Sequence, residues 1–424
     1  MNKVNRNVLV IAYYFPPMGL SGVQRTLKFV KYLPQFGWNP IVLTASPGAY
    51  YAFDETLIEE IPEIKIYRTN EDITKLVKKK DSSALKYPNT FGQKLRKMIT
   101  QTFVQPDSRI FWKKSALKLA DKIIKENKID VIFSTAPPFT DFLIANELSQ
   151  KYDIPYVLDY RDLWVDNAFY FYATFFHKMY AEKLELKVLT KSSRVVVTTR
   201  YMKELLLRRY KLLTHNDISI ISHGFDKEDF DVEYKSKINN NKFVITHSGL
   251  FPDDLTPKYF LKALSNFFKK NPEAKKNTEV RFIGLMRKNH NRYIKRYKLT
   301  DNVLLTGYIS HKESVSYLLA SNVLWMMITN NVATPSRLYE YIGAKKPILI
   351  NAPEGNIKQT AVDSNAAIAT DVKNIKSIED GIARFYELWV NNYLPTIEKD
   401  YAERFERKNL TEVLSKELSL SVKI

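Results

Sequence analysis

The run Thr334-Pro335-Ser336-Arg337-Leu338-Tyr339-Glu340 brings an arginine and a carboxylate within one helical turn, behind a proline and a serine. It reads as a loop, a helix opening at Pro335 or Ser336, a small-residue turn at Gly343-Ala344, then the buried strand Pro347–Ile350. A helix start offers free N–H groups to an anion. Arg337 adds a fixed cation with a planar fork of donors. Ser336, Arg337 and Glu340 can share one helix face. That set suits a nucleotide diphosphate, with the carboxylate taking ribose hydroxyls. The same residues also read as a capped helix with an Arg337–Glu340 ion pair.

A second candidate is the loop Tyr13-Tyr14-Phe15-Pro16-Pro17-Met18-Gly19-Leu20-Ser21-Gly22-Val23-Gln24-Arg25, after the first apolar run. Glycines between a strand and a helix let the backbone approach a phosphate, and a tight structural turn is the competing reading. The loop is not G-x-G-x-x-G. The second strand ends Leu43-Thr44-Ala45, with no acidic residue for a dinucleotide ribose. A nicotinamide cofactor is therefore disfavoured.

The elements that would position these residues alternate. Val8–Tyr13, Pro40–Thr44, Ile64–Tyr67, Val131–Thr135, Tyr156–Tyr160, Arg194–Thr198 and Ile218–Ser222 read as strands. Between them Gly22–Tyr32, Ser115–Asn127 and Phe139–Tyr152 carry apolar residues at helical spacing. Near-continuous apolar strands alternating with helices mean a parallel sheet covered on both faces. The pattern restarts at Phe243–Ser248 and continues through Val280–Gly284, Val303–Thr306, Val323–Met327, Pro347–Ile350 and Ala366–Ala369. The expectation is α/β: two Rossmann-like, doubly wound domains facing a central cleft. Residues 1–222 form the first, with a basic insertion at 70–106. Residues 223–385 form the second, and 386–424 a helical brace.

At 424 residues the chain exceeds one ordinary core. Its 45% apolar and 26% charged content describes a soluble globular protein. The absence of cysteine excludes disulfides, thiolate metal sites and cysteine nucleophiles. His177, His215, His223, His247, His290 and His311 show no metal-ligand spacing. The apolar run Val8–Tyr14 is too short for a signal peptide or a membrane span, so a cytoplasmic location is expected.

The net charge of +19 implies attraction to polyanions. Lys75–Lys97 is strongly basic, and Phe103, Ile110, Phe111 and Trp112 lie beside Lys113 and Lys114. Basic residues beside aromatic ones favour an anionic membrane face; a solvated surface is the alternative for each residue. No nucleic-acid motif accompanies the charge, so nucleic acid is not an expected partner.

The Pro16-Pro17-Met18-Gly19 loop, Ser134-Thr135-Ala136-Pro137-Pro138, Asp159-Tyr160-Arg161-Asp162-Leu163-Trp164, His223-Gly224-Phe225-Asp226 and Ser336-Arg337-Leu338-Tyr339-Glu340-Tyr341 occur in that order. Together they resemble the family 4-like, GT-B-fold glycosyltransferases of bacterial surface polysaccharide assembly. The resemblance covers the chain apart from most of Asn70–Pro106 and the last thirty or so residues.

The resemblance implies that Gly19 and Gly22 lie beside a donor diphosphate, and that Asp162 is a polar residue facing the acceptor or reacting sugar. His223-Gly224-Phe225-Asp226 corresponds to the family's Asn-Gly-Val-Asp hinge. Lys258, after Gly249, corresponds to a phosphate lysine. Tyr308 and Ile309 match the backbone segment that meets the nucleobase. Arg337, with Ser336 at the helix opening, would take the diphosphate, and Glu340 the ribose. Four positions depart from the pattern, the first being His223 in place of the hinge asparagine. Leu250 replaces the arginine usual beside Gly249, Leu20 replaces the second glycine of the first loop, and Val332 replaces the first of two glutamates. Sugar contacts would then come from Asn330 or Asn331, or be lost.

Implied in turn is a retaining hexosyltransferase with a UDP- or GDP-sugar as co-substrate and a lipid-linked saccharide or other surface glycan as acceptor. No other cofactor is expected. No Asp-x-Asp metal site is evident, since Asp253-Asp254 precede Leu255-Thr256-Pro257 as in a turn. The enzyme would be peripheral on the cytoplasmic membrane face. The alternatives are a nucleotide-sugar epimerase of the same fold and a non-catalytic scaffold in glycan assembly. Other segments have plainer readings: Ser310-His311-Lys312-Glu313 as a capping box, Asp159 and Asp162 as helix caps with Arg161, and Trp164 and Phe169–Phe176 as cleft wall or core, with an aromatic acceptor surface or membrane-facing patch as the alternative.

Overall fold

The computed structural model describes residues 6–19, 21–46, 53–61, 63–69, 104–167, 170–231, 241–251, 255–332 and 334–422. Leu20, the basic run Lys75–Lys97, most of the 70–106 insertion, Phe103, Phe169 and Asp253-Asp254 lie outside the described residues.

The chain forms two compact units. The first contains the described residues up to His223 together with the terminal helix Arg407–Val422. Its strands are β1 (Arg6–Ile11), β2 (Trp38–Ala45), β3 (Lys65–Thr69), β4 (Val131–Ala136), β5 (Tyr156–Tyr160), β6 (Arg194–Val197) and β7 (Ile218–Ile220). They make one parallel sheet in the order β3-β2-β1-β4-β5-β6-β7. The second unit, Gly224–Glu406, holds β8 (Phe243–Ser248), β9 (Thr278–Ile283), β10 (Val303–Gly307), β11 (Val323–Met327), β12 (Ile348–Asn351) and β13 (Ala367–Thr370). These pair in parallel in the order β10-β9-β8-β11-β12-β13. Every strand expected from the apolar runs is present, its ends moved by at most two residues.

Burial explains the strand pattern. Val8, Leu9, Val10 and Ile11 are all buried because helices cover both sheet faces. Val23, Leu27 and Val30 of the helix Ser21–Tyr32 lie on one face and join the β1 core. Leu410, Leu414 and Leu418 of Arg407–Val422 pack into the same cluster. In the second unit, Ile378, Ile382 and Phe385 of the helix Ile375–Val390 pack with Leu261, Leu264 and Phe268 of Lys258–Lys270. Leu338, Tyr341 and Ile342 of the helix Arg337–Gly343 belong to the other core cluster, which also holds Leu324 of β11 and Ile350 of β12.

The expected boundary between 385 and 386 falls inside the helix Ile375–Val390, whose apolar face belongs to the second unit. The chain leaves that unit at Glu406, beside its point of entry. Phe225 N–H donates to the Phe405 carbonyl at 3.0 Å. Phe225 also fills the space next to Gly343, where an added Cβ would meet its ring at 2.5 Å.

Candidate functional site

Each sheet reverses its strand order once, between β1 and β4 and between β8 and β11. Ligands of open parallel sheets bind beyond the carboxyl ends of the strands at such switch points, so those two places are the candidates.

In the second unit, Arg337 reaches the β8 end. Its Nη1 donates to His247 Nε2 at 3.0 Å and its Nη2 to the Leu250 carbonyl at 3.2 Å. His247 is fully buried on β8, and its Nδ1–H donates to the Trp325 carbonyl of β11 at 3.0 Å. This pairing sets the tautomer that leaves Nε2 free to accept from Arg337. Burial, reinforced by the Arg337 charge, pushes the His247 pKa well below its ordinary value, so the ring stays neutral. Phe251 stacks on it at 4.3 Å. Tyr341 is a second clasp across the switch point: its hydroxyl accepts from Ser248 N–H at 2.9 Å and donates to the Trp325 carbonyl at 3.1 Å.

Gly249, Gly284 and Gly307 follow or end the neighbouring strands β8, β9 and β10, all at positive φ. Gly249 N–H donates to the Ile283 carbonyl at 2.7 Å and Gly284 N–H to the Gly307 carbonyl at 2.8 Å. A Cβ on Gly249 would lie 2.6 Å from Arg337 Nη2, and one on Gly284 would lie 3.0 Å from the Gly249 carbonyl oxygen. The β8 end is therefore bare backbone beside a guanidinium. Gly249→Ala is expected to cost about 1–3 kcal/mol of stability through backbone strain and to displace Arg337. Denaturant titration and the affinity for inorganic pyrophosphate check both effects.

Arg337 makes no ion pair among the described residues, and burial lowers its pKa from the ordinary guanidinium value. The alternative of a capped helix with an Arg337–Glu340 pair does not describe this segment. Ser336 stands at the N-cap without a side-chain cap bond, and Glu340 is half-buried. Tyr308 and Ile309 leave the β10 end directly after Gly307 and are half-buried. Lys258 is the first residue of the helix Lys258–Lys270, its ammonium 5.6 Å from the Tyr259 ring; no bond joins it to Arg337 among the described residues. Ser310 caps the helix His311–Leu319 through Glu313 N–H, as the capping-box reading expects. Asn330 closes a local turn by accepting from Val332 N–H at 3.1 Å.

In the first unit, Asp162 follows β5 and is half-buried; burial raises its pKa and neighbouring Arg161 opposes that. The helix-cap reading of Asp159 and Asp162 is replaced. No helix opens there, and Asp159 instead pairs with Arg25, both side chains at most 1% exposed. Arg25 also donates to the Ile221 and Ser222 carbonyls, and Thr135 Oγ1 donates to Asp159 at 2.8 Å. Arg161 spans the switch point, donating to the Gly22 and Pro137 carbonyls. Gly19 is buried. A Cβ on Gly22 would meet Arg161 only at 3.8 Å, so space alone does not require glycine there.

Two further carboxylates stand at this switch point, and no local sequence pattern marks them. Asp141 is fully buried; its Oδ2 accepts from Tyr13 N–H at 2.8 Å, and its Oδ1 has no hydrogen-bond partner among the described residues. Asp107 accepts from Arg109 N–H and from Thr140. Burial raises the pKa of both, well above the usual carboxylate range for Asp141, which Asp107 pushes further. The Arg109 guanidinium lies 4.8 Å from the Tyr13 ring and 5.8 Å from Tyr14. Acid groups and aromatic faces over strand ends can hold the hydroxyls and apolar face of a sugar.

Residues 21–229 match the model of Glycosyltransferase Family 4, and residues 229–404 that of Glycosyl transferases group 1. No curated protein matches by sequence. Among solved structures, the chain is similar to HepE of Anabaena in complex with UDP and glucose, at 13% identity and TM-score 0.66 over 98% of this chain and 99% of that one. It is also similar to sucrose-phosphate synthase from Thermosynechococcus elongatus, at 14% identity and TM-score 0.65 over 97% and 98%. A glycosyltransferase from Rickettsia africae matches at 15% identity and TM-score 0.65 over 98% of both chains. These likenesses establish the GT-B fold.

Proposed function

Because the chain is a glycosyltransferase with a family 4 domain followed by a group 1 domain, we propose that it transfers a hexose from a UDP- or GDP-sugar, with retention and without a metal, to a lipid-linked saccharide or other surface-glycan acceptor. One observation carries the donor assignment. The Arg337 guanidinium is held by a neutral histidine and a backbone carbonyl beside Gly249 at the β8 end. A cation left without a carboxylate partner among the described residues, over bare backbone, suits a diphosphate.

As the glycosidic bond to the donor breaks, negative charge builds on the leaving diphosphate, and a fixed cation aimed there stabilises the transition state. Arg337 is assigned that role. Glu340, one turn along, is assigned the ribose hydroxyls, and the backbone of Tyr308 and Ile309 the base. In the first domain, Asp162 is assigned to the acceptor or reacting sugar, with Tyr13, Arg109 and Asp141 lining the acceptor side. Surface-polysaccharide assembly on the cytoplasmic membrane face is part of this proposal. The UDP and glucose held by the Anabaena relative support a UDP-sugar as the first donor to test.

Calorimetric titration of UDP, GDP and their sugars tests the assignment, and no binding of any of them would refute it. Glu340→Ala is expected to weaken UDP or GDP by about tenfold, the worth of one charge-assisted hydrogen bond, and to leave inorganic pyrophosphate unchanged. Equal loss for both would place Glu340 elsewhere.

A further inference from the structure

The helix Phe175–Lys191 of the first unit has an outer face that neither the fold nor the transfer chemistry uses. Its inner face buries Ala181, Glu185, Val188 and Leu189. Phe175, Phe176 and Tyr180 are 73%, 72% and 52% exposed, with Met179 and Leu186 also exposed. Lys183, Lys187 and Lys191 are exposed alongside them. Counted at 3.6 residues per turn, these eight positions fall within about 160° of arc. The stripe is aromatic in its first two turns and basic beyond. Of the helix's acids, Glu185 is buried and Glu182 pairs with Arg209, so neither opposes the lysines. The first turn is held in place: Gln105 donates to the His177 carbonyl at 3.2 Å, and Thr174 Oγ1 lies 2.8 Å from His177 Nδ1.

Large rings are not left in water without cost. Aromatic rings along one helix face, with exposed lysines continuing that face, match the interface of an anionic bilayer: rings enter the headgroup boundary and ammonium groups meet lipid phosphates. Charge complementarity thus selects the occupant. We propose that the outer face of Phe175–Lys191 docks the protein on an anionic lipid surface. The proposal rests on the reading above in that a lipid-linked acceptor would be carried on such a surface. It names a docking element distinct from the basic run Lys75–Lys97.

The test uses the full chain in flotation with vesicles of phosphatidylcholine alone and of phosphatidylcholine mixed with phosphatidylglycerol. Wild type is expected to float with the mixed vesicles and to be released by salt. Phe175→Ser with Phe176→Ser should weaken that binding at least tenfold, as should Lys183→Glu with Lys187→Glu. Met179→Ser with Tyr180→Ser serves if the phenylalanine variant fails to fold. Wild type that ignores anionic vesicles overturns the proposal, as do variants that bind as wild type does. So does a concentration-dependent dimer in vesicle-free sedimentation that the phenylalanine variant abolishes, because the stripe would then belong to a second copy. UDP and GDP titrations on the same samples keep the two readings apart. Loss of nucleotide binding in wild type defeats the donor site and leaves the lipid result standing.

Discussion

Arg337→Ala is expected to lower kcat/KM for glycosyl transfer by about 10²–10³, the loss typical when a donor aimed at developing negative charge is removed. Affinity for UDP or GDP should fall by about ten- to a hundredfold, as for one charged hydrogen-bonding group. The side chain is held at two points, His247 Nε2 and the Leu250 carbonyl, so its deletion removes a positioned charge and not a mobile one. Stability should change less than activity, because the guanidinium gives up solvation without gaining a counter-ion among the described residues. Arg337→Lys should restore little, since an ammonium cannot span both partners and a diphosphate. Steady-state kinetics and calorimetry on the three proteins check this. Wild-type kcat/KM in the alanine variant would remove Arg337 from the chemistry.

Arg25→Met is expected to be the most destabilising single change in the first unit, by about 3–5 kcal/mol, because it strands a buried carboxylate. Asp159 is 0% exposed in its side chain and receives Arg25 through both Nε and Nη2. The same guanidinium satisfies the Ile221 and Ser222 carbonyls, tying the first helix to β5 and to the end of β7. Restoring neutrality with Arg25→Met and Asp159→Leu together should recover much of the loss, since the stranded charge dominates it. Urea denaturation of the two variants measures both terms. A double variant no better than the single one would assign the loss to the carbonyls instead.

Strand positions were readable along the chain because parallel strands are buried on both faces and must be apolar almost throughout; β5 and β8 begin and end where the apolar runs do. Arg337 and Glu340 were visible for a similar reason, since a charged pair one turn apart between a proline and a buried strand is a local pattern. His247 carried no such signal. It is one of six scattered histidines, and its importance arises from Trp325 on one side and Arg337 on the other, 78 and 90 residues away. Asp107 and Asp141 were unremarkable in the chain, yet Thr140 and Tyr13 fasten them at one switch point.

Residue order therefore determined the α/β alternation, the restart at β8 and the types of charge available, because propensity and periodicity act over a few residues. Tertiary structure decided which of those charges meet. It paired Asp159 with Arg25, left Arg337 without an ion-pair partner among the described residues, and returned the terminal helix to the first unit. Burial and charge pairing depend on distances across more than a hundred residues, and no local pattern encodes them.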